Sequence, residues 1–356
     1  MALGKTLRKL YAISAAISAS VDFPRGSIVP DTRPGRLLTD VRREYIVSGE
    51  FQSAPLTSPD REDVAVYREK ITEEIVQALG FSRHGAMRRC LGPLFRRPAG
   101  RFAGIIARAD DEIRTSGLSG GCRRIMADLS LKAAVRGAEN IPRDGPLLLV
   151  SNHPGAYDSV AIMACVPRKD LKVILSDVAF TRAFSAGRRY FIFAPPGTAG
   201  RSRGLRASID HLKNGGALLI FPHVEVEPDP EISPGAMAAL HDWSRSLEIM
   251  LRRVPEAWLQ VTMAGGVLLS RFLHSPLVKI RKSAPKRQKL AEFLQVSLQM
   301  VFPRSVRPNI HLSFGTPVKG YDLPGNDLMP VVIRIARRLL EDHLASFRQR
   351  ADTAGR

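Results

Sequence analysis

The hydrophobic positions change period partway along the chain. Up to about residue 130 they recur at helical spacing; beyond it, short apolar runs alternate with helical segments. Val64, Tyr67, Ile71, Ile75 and Leu79 form one stripe, opened by Ser58-Pro59 as cap and first-turn proline and closed by Gly80. Two further helical stretches follow, Phe102 to Thr115 and Cys122 to Leu129. The predicted strands are Leu131 to Val135, Leu147 to Ser151, Val173 to Leu175, Tyr190 to Phe193, Ala217 to Phe221, Leu259 to Met263 and Ile310 to Phe314. Between them lie helical segments at Ser159 to Cys165, Arg203 to Lys213, Gly235 to Arg252 and Lys289 to Phe302. A last helix, Met329 to Phe347, has Val332, Ile335, Leu339 and His343 or Leu344 on its inner face. This alternation predicts an α/β fold: a mainly parallel central sheet flanked by helices, with an amino-terminal helical region.

The start of the chain follows neither pattern. Leu3, Leu7, Leu10, Ile13 and Ile17 share a helical face with Lys5, Arg8 and Lys9 beside it, readable as an interfacial helix or as a short surface helix. From Val21 to Pro59, prolines among Ser, Thr and Arg predict an extended arm without a fold of its own. The predicted layout is a basic arm over 1–57, a helical region over 58–130, a catalytic α/β domain over 131–320 and a carboxy-terminal helix over 321–356.

Charge narrows the partners. With 53 Lys+Arg against 34 Asp+Glu, the chain carries a formal +19 and seeks anionic surfaces. Aromatic residues are only 6% of the chain and none interleave with a basic run, so anionic lipid is the expected partner and no specific nucleic acid is. Between Glu256 and Glu292 there is no acid, while Arg271, Lys279, Arg281, Lys282, Lys286, Arg287 and Lys289 accumulate. A polybasic segment of this kind is drawn to anionic bilayers or is a solvated loop on a basic protein. The three cysteines, Cys90, Cys122 and Cys165, lack the spacing of a disulfide framework or a zinc site, so a reducing compartment and no metal are expected. No run of 18 apolar residues occurs, and membrane contact is expected to be peripheral, on the cytoplasmic side.

The candidate chemistry sits at Gly145-Pro-Leu-Leu-Leu-Val-Ser-Asn-His-Pro-Gly-Ala-Tyr-Asp158, where an apolar strand runs into a His and an Asp five residues later. Of the eight histidines, only His153 has an aspartate at that offset. At the carboxyl end of a strand, Asp158 is placed to hold one imidazole nitrogen while the other takes a hydroxyl proton. On spacing alone, a turn at Asn152-His153-Pro154 and a helix cap at Asp158 account for the same residues.

The stretch from Val135 to Asp158 closely resembles the first motif, HxxxxD, of the glycerolipid acyltransferases, the lysophosphatidic acid acyltransferase-like superfamily. The resemblance implies that His153 is the general base on an acceptor hydroxyl and that Asp158 orients it. The donor would be acyl-CoA or acyl carrier protein, serving as co-substrate, with no other cofactor. Leu212 to Pro222 looks like the strand leading into the family's FPEGTR motif, but His223, Val224, Glu225, Val226 and Glu227 follow Phe221-Pro222. No arginine follows to grip a phosphate. Glu225 or Glu227 stands in for the family's glutamate in a shifted register, or the loop is a solvated turn.

For phosphate, the candidates are Arg201, Arg203 and Arg206, roughly where the family's second motif supplies an arginine, with Arg188 and Arg189 behind them. Ser233 to Leu240 and Phe314 to Pro317 extend the likeness to about residues 131–320. An acyl groove is expected between Ser159 to Cys165 and Val178 to Phe184. The expected function is transfer of a fatty acyl group to a hydroxyl of a glycerol-phosphate or lysophospholipid-like acceptor at a membrane surface. A catalytically silent, lipid-binding member of the fold is the alternative.

Overall fold

The computed structural model describes residues 44–48, 61–78, 86–176, 179–223, 226–302 and 305–354. The chain divides into two units, Met1–Val41 and Arg42–Arg356. The first lies outside the described residues, and with it the expected interfacial helix. The arm is not wholly without structure, however: Glu44–Ser48 forms β1, pairing antiparallel with the next strand.

Two helices precede the sheet, α1 (Arg61–Ala78) and α2 (Ala86–Asp128). The second unites the two stretches expected separately, and their division survives as a break at Gly117, whose φ of 72° and ψ of −178° no helix allows. There follow β2 (Lys132–Arg136), β3 (Leu147–Ser151), α3 (Ala156–Cys165), β4 (Lys172–Leu175), α4 (Ala179–Arg182), β5 (Phe191–Phe193), α5 (Thr198–Lys213) and β6 (Ala217–Ile220). The helix expected over Gly235 to Arg252 is broken: α6 (Ala236–Ala239), a 3-10 turn at Leu240–Asp242 and α7 (Ser246–Arg253) replace it. The chain closes with β7 (Trp258–Gly265), α8 (Ser270–Leu273), α9 (Pro276–Lys279), α10 (Ala284–Val301), β8 (Asn309–Phe314), β9 (Val318–Lys319) and α11 (Met329–Ala354).

The strands form one sheet in the order β1-β2-β8-β7-β3-β6-β4-β5, with β9 also on β7. β7, β3, β6, β4 and β5 are parallel, whereas β8 joins β7 antiparallel and takes β2 with it. The sheet is therefore mainly parallel, with β2, β8 and β9 reversed.

β3 explains why the core divides in two. Leu147 and Leu149 pack on the face covered by α1, α2 and α3, while Leu148 and Val150 pack on the face covered by α5, α7 and α11. Alternating side chains point to opposite faces, so a strand with the unbroken apolar run Leu147 to Val150 must be buried on both. β6 repeats the division, with Ala217 and Leu219 on one face and Leu218 and Ile220 on the other. Truncating one of these leucines to alanine costs about 2–5 kcal/mol.

Candidate active site

Where β3 ends, the chain cannot continue its ladder, and Asn152 substitutes a side chain for backbone. Its carboxamide donates to the Ala264 carbonyl at 2.9 Å and accepts the Ala264 N–H at 2.8 Å. This clamp onto β7 sets the direction in which His153 leaves the sheet.

His153 and Asp158 meet. The imidazole Nδ1 lies 2.9 Å and 3.2 Å from the two oxygens of Asp158, which is wholly buried in the first turn of α3. The His153 side chain is 30% exposed, so one face of the ring stays open while its Nδ1 is tied down. Phe221 packs beside the ring at 4.5 Å between centroids. Burial alone would lower the imidazole pKa; the adjoining Asp158 carboxylate, with smaller contributions from Glu292 and Glu227, reverses this and raises it to about 9. An imidazole held at Nδ1 by a carboxylate presents Nε2 for proton transfer, the division of labour a hydroxyl-activating base requires.

The loop after Phe221-Pro222 is not a solvated turn. Its described acids, Glu227 and Asp229, are 1% and 0% exposed. Glu227 accepts the His153 N–H at 2.8 Å on one oxygen and the Trp243 indole N–H at 2.9 Å on the other. Burial raises its pKa against these bonds. Asp229 accepts the N–H groups of Gly266, Val267 and Leu268 at 3.0, 2.8 and 3.0 Å, fixing the turn that leaves β7. Both oxygens of Glu227 are thus committed to the protein itself, and it holds the turn carrying His153. Glu225 lies outside the described residues.

Arg201, Arg203 and Arg206 are exposed on α5 and make no ion pair among the described residues. The helix runs from β5 back to β6, the neighbour of β3, and no hydrogen bond or ion pair among the described residues links these arginines to His153 or Asp158. Arg189 instead lies over the Tyr190 ring at 4.9 Å. Of the residues expected to line an acyl groove, Ala161, Ile162 and Ala164 of α3 belong to the core, and Phe184 is buried against Tyr67 and Phe191. Val178 lies outside the described residues. Cys122 and Cys165 are free thiols, and burial pushes both up to about 12.

Two site residues escaped the sequence reading, both on α10. Gln288, 4% exposed, donates to the Pro154 carbonyl at 3.1 Å and also to the Glu227 carbonyl. One turn later Glu292 accepts the Ala156 N–H; burial raises its pKa to about 7, the charge of His153 opposing and that of Asp158 adding. The sequence reading begins this helix only at Lys289, and the polar positions 288, 295 and 299 lie on its buried side, which a hydrophobic stripe does not reveal.

A strand-borne histidine braced by an aspartate at the carboxyl edge of a mainly parallel sheet fits an acyl-transfer domain, and residues 132–229 match the family model described as Acyltransferase. Over that segment the chain is similar to the acyltransferases. Among solved structures it is similar to the 1-acyl-sn-glycerophosphate (LPA) acyltransferase PlsC from Thermotoga maritima, at 16% identity. That likeness covers 78% of this chain and 96% of the other, with a TM-score of 0.42. No curated protein matches the chain.

Proposed function

We propose that the protein moves a fatty acyl group from a thioester, acyl-CoA or acyl carrier protein, to a hydroxyl of a glycerol-phosphate or lysophospholipid-like acceptor. The observation that carries the reading is the Asp158-braced imidazole of His153, whose Nε2 has no hydrogen-bond partner among the described residues. In this mechanism Nε2 removes the hydroxyl proton as the oxygen attacks the thioester carbonyl. The new C–O bond forms a tetrahedral intermediate, whose collapse breaks the C–S bond, and the imidazolium returns its proton to the departing sulfur. Asp158 stabilises the imidazolium, and Glu227 and Asn152 hold the turn so that the ring need not reorganise.

The proposed setting is the cytoplasmic surface of an anionic membrane, with peripheral attachment. Among the described residues no helix is long and apolar enough to cross a bilayer. Ile280 and Phe302, 75% and 58% exposed, stand at the two ends of the segment carrying Lys279, Arg281, Lys282, Lys286, Arg287 and Lys289. Each such cation contributes about 1 kcal/mol of attraction near an anionic surface, and exposed apolar side chains add insertion.

The test is mass-spectrometric detection of acyl transfer by wild type and His153→Ala, with acyl-CoA and acyl carrier protein donors and a panel of lysophospholipid and glycerol-phosphate acceptors. New product from wild type alone supports the reading. A folded protein that binds anionic liposomes yet transfers nothing to any acceptor supports the second reading, a silent lipid-binding member of the fold. The altered loop after Phe221-Pro222 is what favours that reading.

A further inference from the structure

The loop that ends β6 carries no arginine, and its described carboxylates face inward, so the phosphate of a phosphorylated substrate must be met from elsewhere. The geometry points to Lys289 on α10, with Lys286 beside it, as the phosphate-binding residue at the rim of the His153 site. This rests on the acyl-transfer reading above and names the group that recognises the substrate's phosphate.

Three observations lead there. First, α10 is fastened to the turn of His153 through Gln288, on the carbonyls of Pro154 and Glu227, and through Glu292 on the Ala156 N–H. The helix is therefore part of the wall of the site, although it lies beyond the segment matched by the family model. Second, Lys289 lies on the flank of α10 that Glu292 occupies, three residues away, and the two interact electrostatically. Glu292 in turn interacts with His153 and Asp158, so Lys289 neighbours a carboxyl that itself neighbours the imidazole. Third, Lys289 and Lys286 are exposed and make no ion pair among the described residues, so their donors are free for a ligand. Residues three apart on a helix are neighbours, roughly 5–6 Å between Cβ atoms, close enough for two ammonium groups to share one phosphate.

A compact ammonium on a flexible stem suits a phosphate whose position is fixed by chemistry elsewhere in the site. Arg201, Arg203 and Arg206 sit on α5, and no hydrogen bond among the described residues ties them to the turn of His153. The phosphate belongs either to the acceptor headgroup or to the donor's nucleotide and phosphopantetheine arm.

The test uses water-soluble probes, so that membrane binding does not enter the readout. Hexanoyl-CoA and 1-hexanoylglycerol 3-phosphate are each varied with the full chain, beside two phosphate-free counterparts, hexanoyl-N-acetylcysteamine and 1-hexanoylglycerol. Lys289→Glu is expected to raise the KM of one phosphorylated probe roughly tenfold or more, with kcat within about twofold, and to leave its phosphate-free counterpart unchanged. Which probe responds assigns the phosphate to acceptor or donor. Lys289→Arg should restore the KM, and Lys279→Glu, with the same charge change on α9, should not raise it. Equal KM values for wild type and Lys289→Glu, or an equal effect from Lys279→Glu, overturn the assignment. If wild type transfers nothing, calorimetric titration of the same probes decides separately: tighter binding of a phosphorylated probe that Lys289→Glu abolishes keeps the clamp while the acyl-transfer reading falls, and binding insensitive to Lys289 overturns the clamp.

Discussion

Glu227 grips His153 from both sides of the peptide, accepting its N–H at 2.8 Å while donating its own N–H to the His153 carbonyl at 2.8 Å. Neither contact involves the imidazole. The ring is steered by Asp158 and its backbone by Glu227, so two carboxylates divide the orientation of one histidine.

Removing the backbone grip should therefore lower turnover more than it moves the titration of the ring. Glu227→Ala leaves the His153 and Trp243 N–H groups buried without acceptors, at about 1–3 kcal/mol each. Glu227→Gln should fare little better, because its amide turns a donor toward one of those two N–H groups. We expect kcat to drop by an order of magnitude or more in both, with melting temperature lowered and the His153 limb moved to lower pH by less than Asp158→Asn moves it.

The raised pKa of His153, about 9, has a definite sign in kinetics. A base must be neutral to act, so kcat/KM should climb with pH and level off only near pH 9. Asp158→Asn removes the chief cause of the shift and should move this limb toward the ordinary imidazole value near 6.5, while lowering the rate by about three to four orders of magnitude. The folded state also favours the protonated ring. That contribution to stability is fully present below about pH 6.5 and is lost as pH rises through about 9.

Glu292→Gln tests the third carboxylate near the ring. Glutamine can still accept the Ala156 N–H, so the fold should hold. With one negative neighbour removed, the His153 limb should shift to lower pH, by less than Asp158→Asn shifts it. Because Glu292 titrates near 7 when folded, above its usual 4.5, folding favours its protonated form, and wild-type stability falls as pH rises through that range. Denaturant titrations at pH 5 and pH 8 should show the variant gaining relative to wild type at the higher pH.

Asp110, 2% exposed, ties α2 to the segment before β5. It accepts the Ser185 N–H at 2.9 Å, the Ser185 hydroxyl at 2.6 Å, the Gly187 N–H at 2.8 Å and the Tyr67 hydroxyl at 3.1 Å. Burial alone would raise its pKa, but these bonds hold it below the usual carboxylate value. The stability it contributes is present above about pH 4 and is lost as pH falls through the depressed value. Asp110→Ala should destabilise the protein by about 3 kcal/mol or more by denaturant titration, with the His153 pH limb unmoved.

The sheet was legible because β3 and β6 each carry four consecutive apolar residues, which burial on both faces explains. The reversal of β8 and β2 was not, since a short strand reads the same in either direction. Gly117 shows how a merged helix hides: its neighbours are helical on both sides and only its φ breaks the run. His153 and Asp158 lay within one short stretch and could be paired by spacing. Gln288 and Glu292 reach the same turn from far along the chain, and no local pattern signals a glutamine that caps a distant carbonyl. Glu227 was visible as a residue but not in its role, because the sequence does not tell an acid facing solvent from one folded back on its own turn.

Gln288 lies beyond the residues that match the family, and so does Ala264, the backbone partner of Asn152. A fragment cut to 132–229 would keep the motif and lose the clamp, the capping glutamine and strand β7 along one side of β3. The segment that identifies the chemistry is thus not the segment that can fold to perform it. Grafting the motif onto another scaffold would carry the reagents without the vessel, and a working transplant must extend at least through α10.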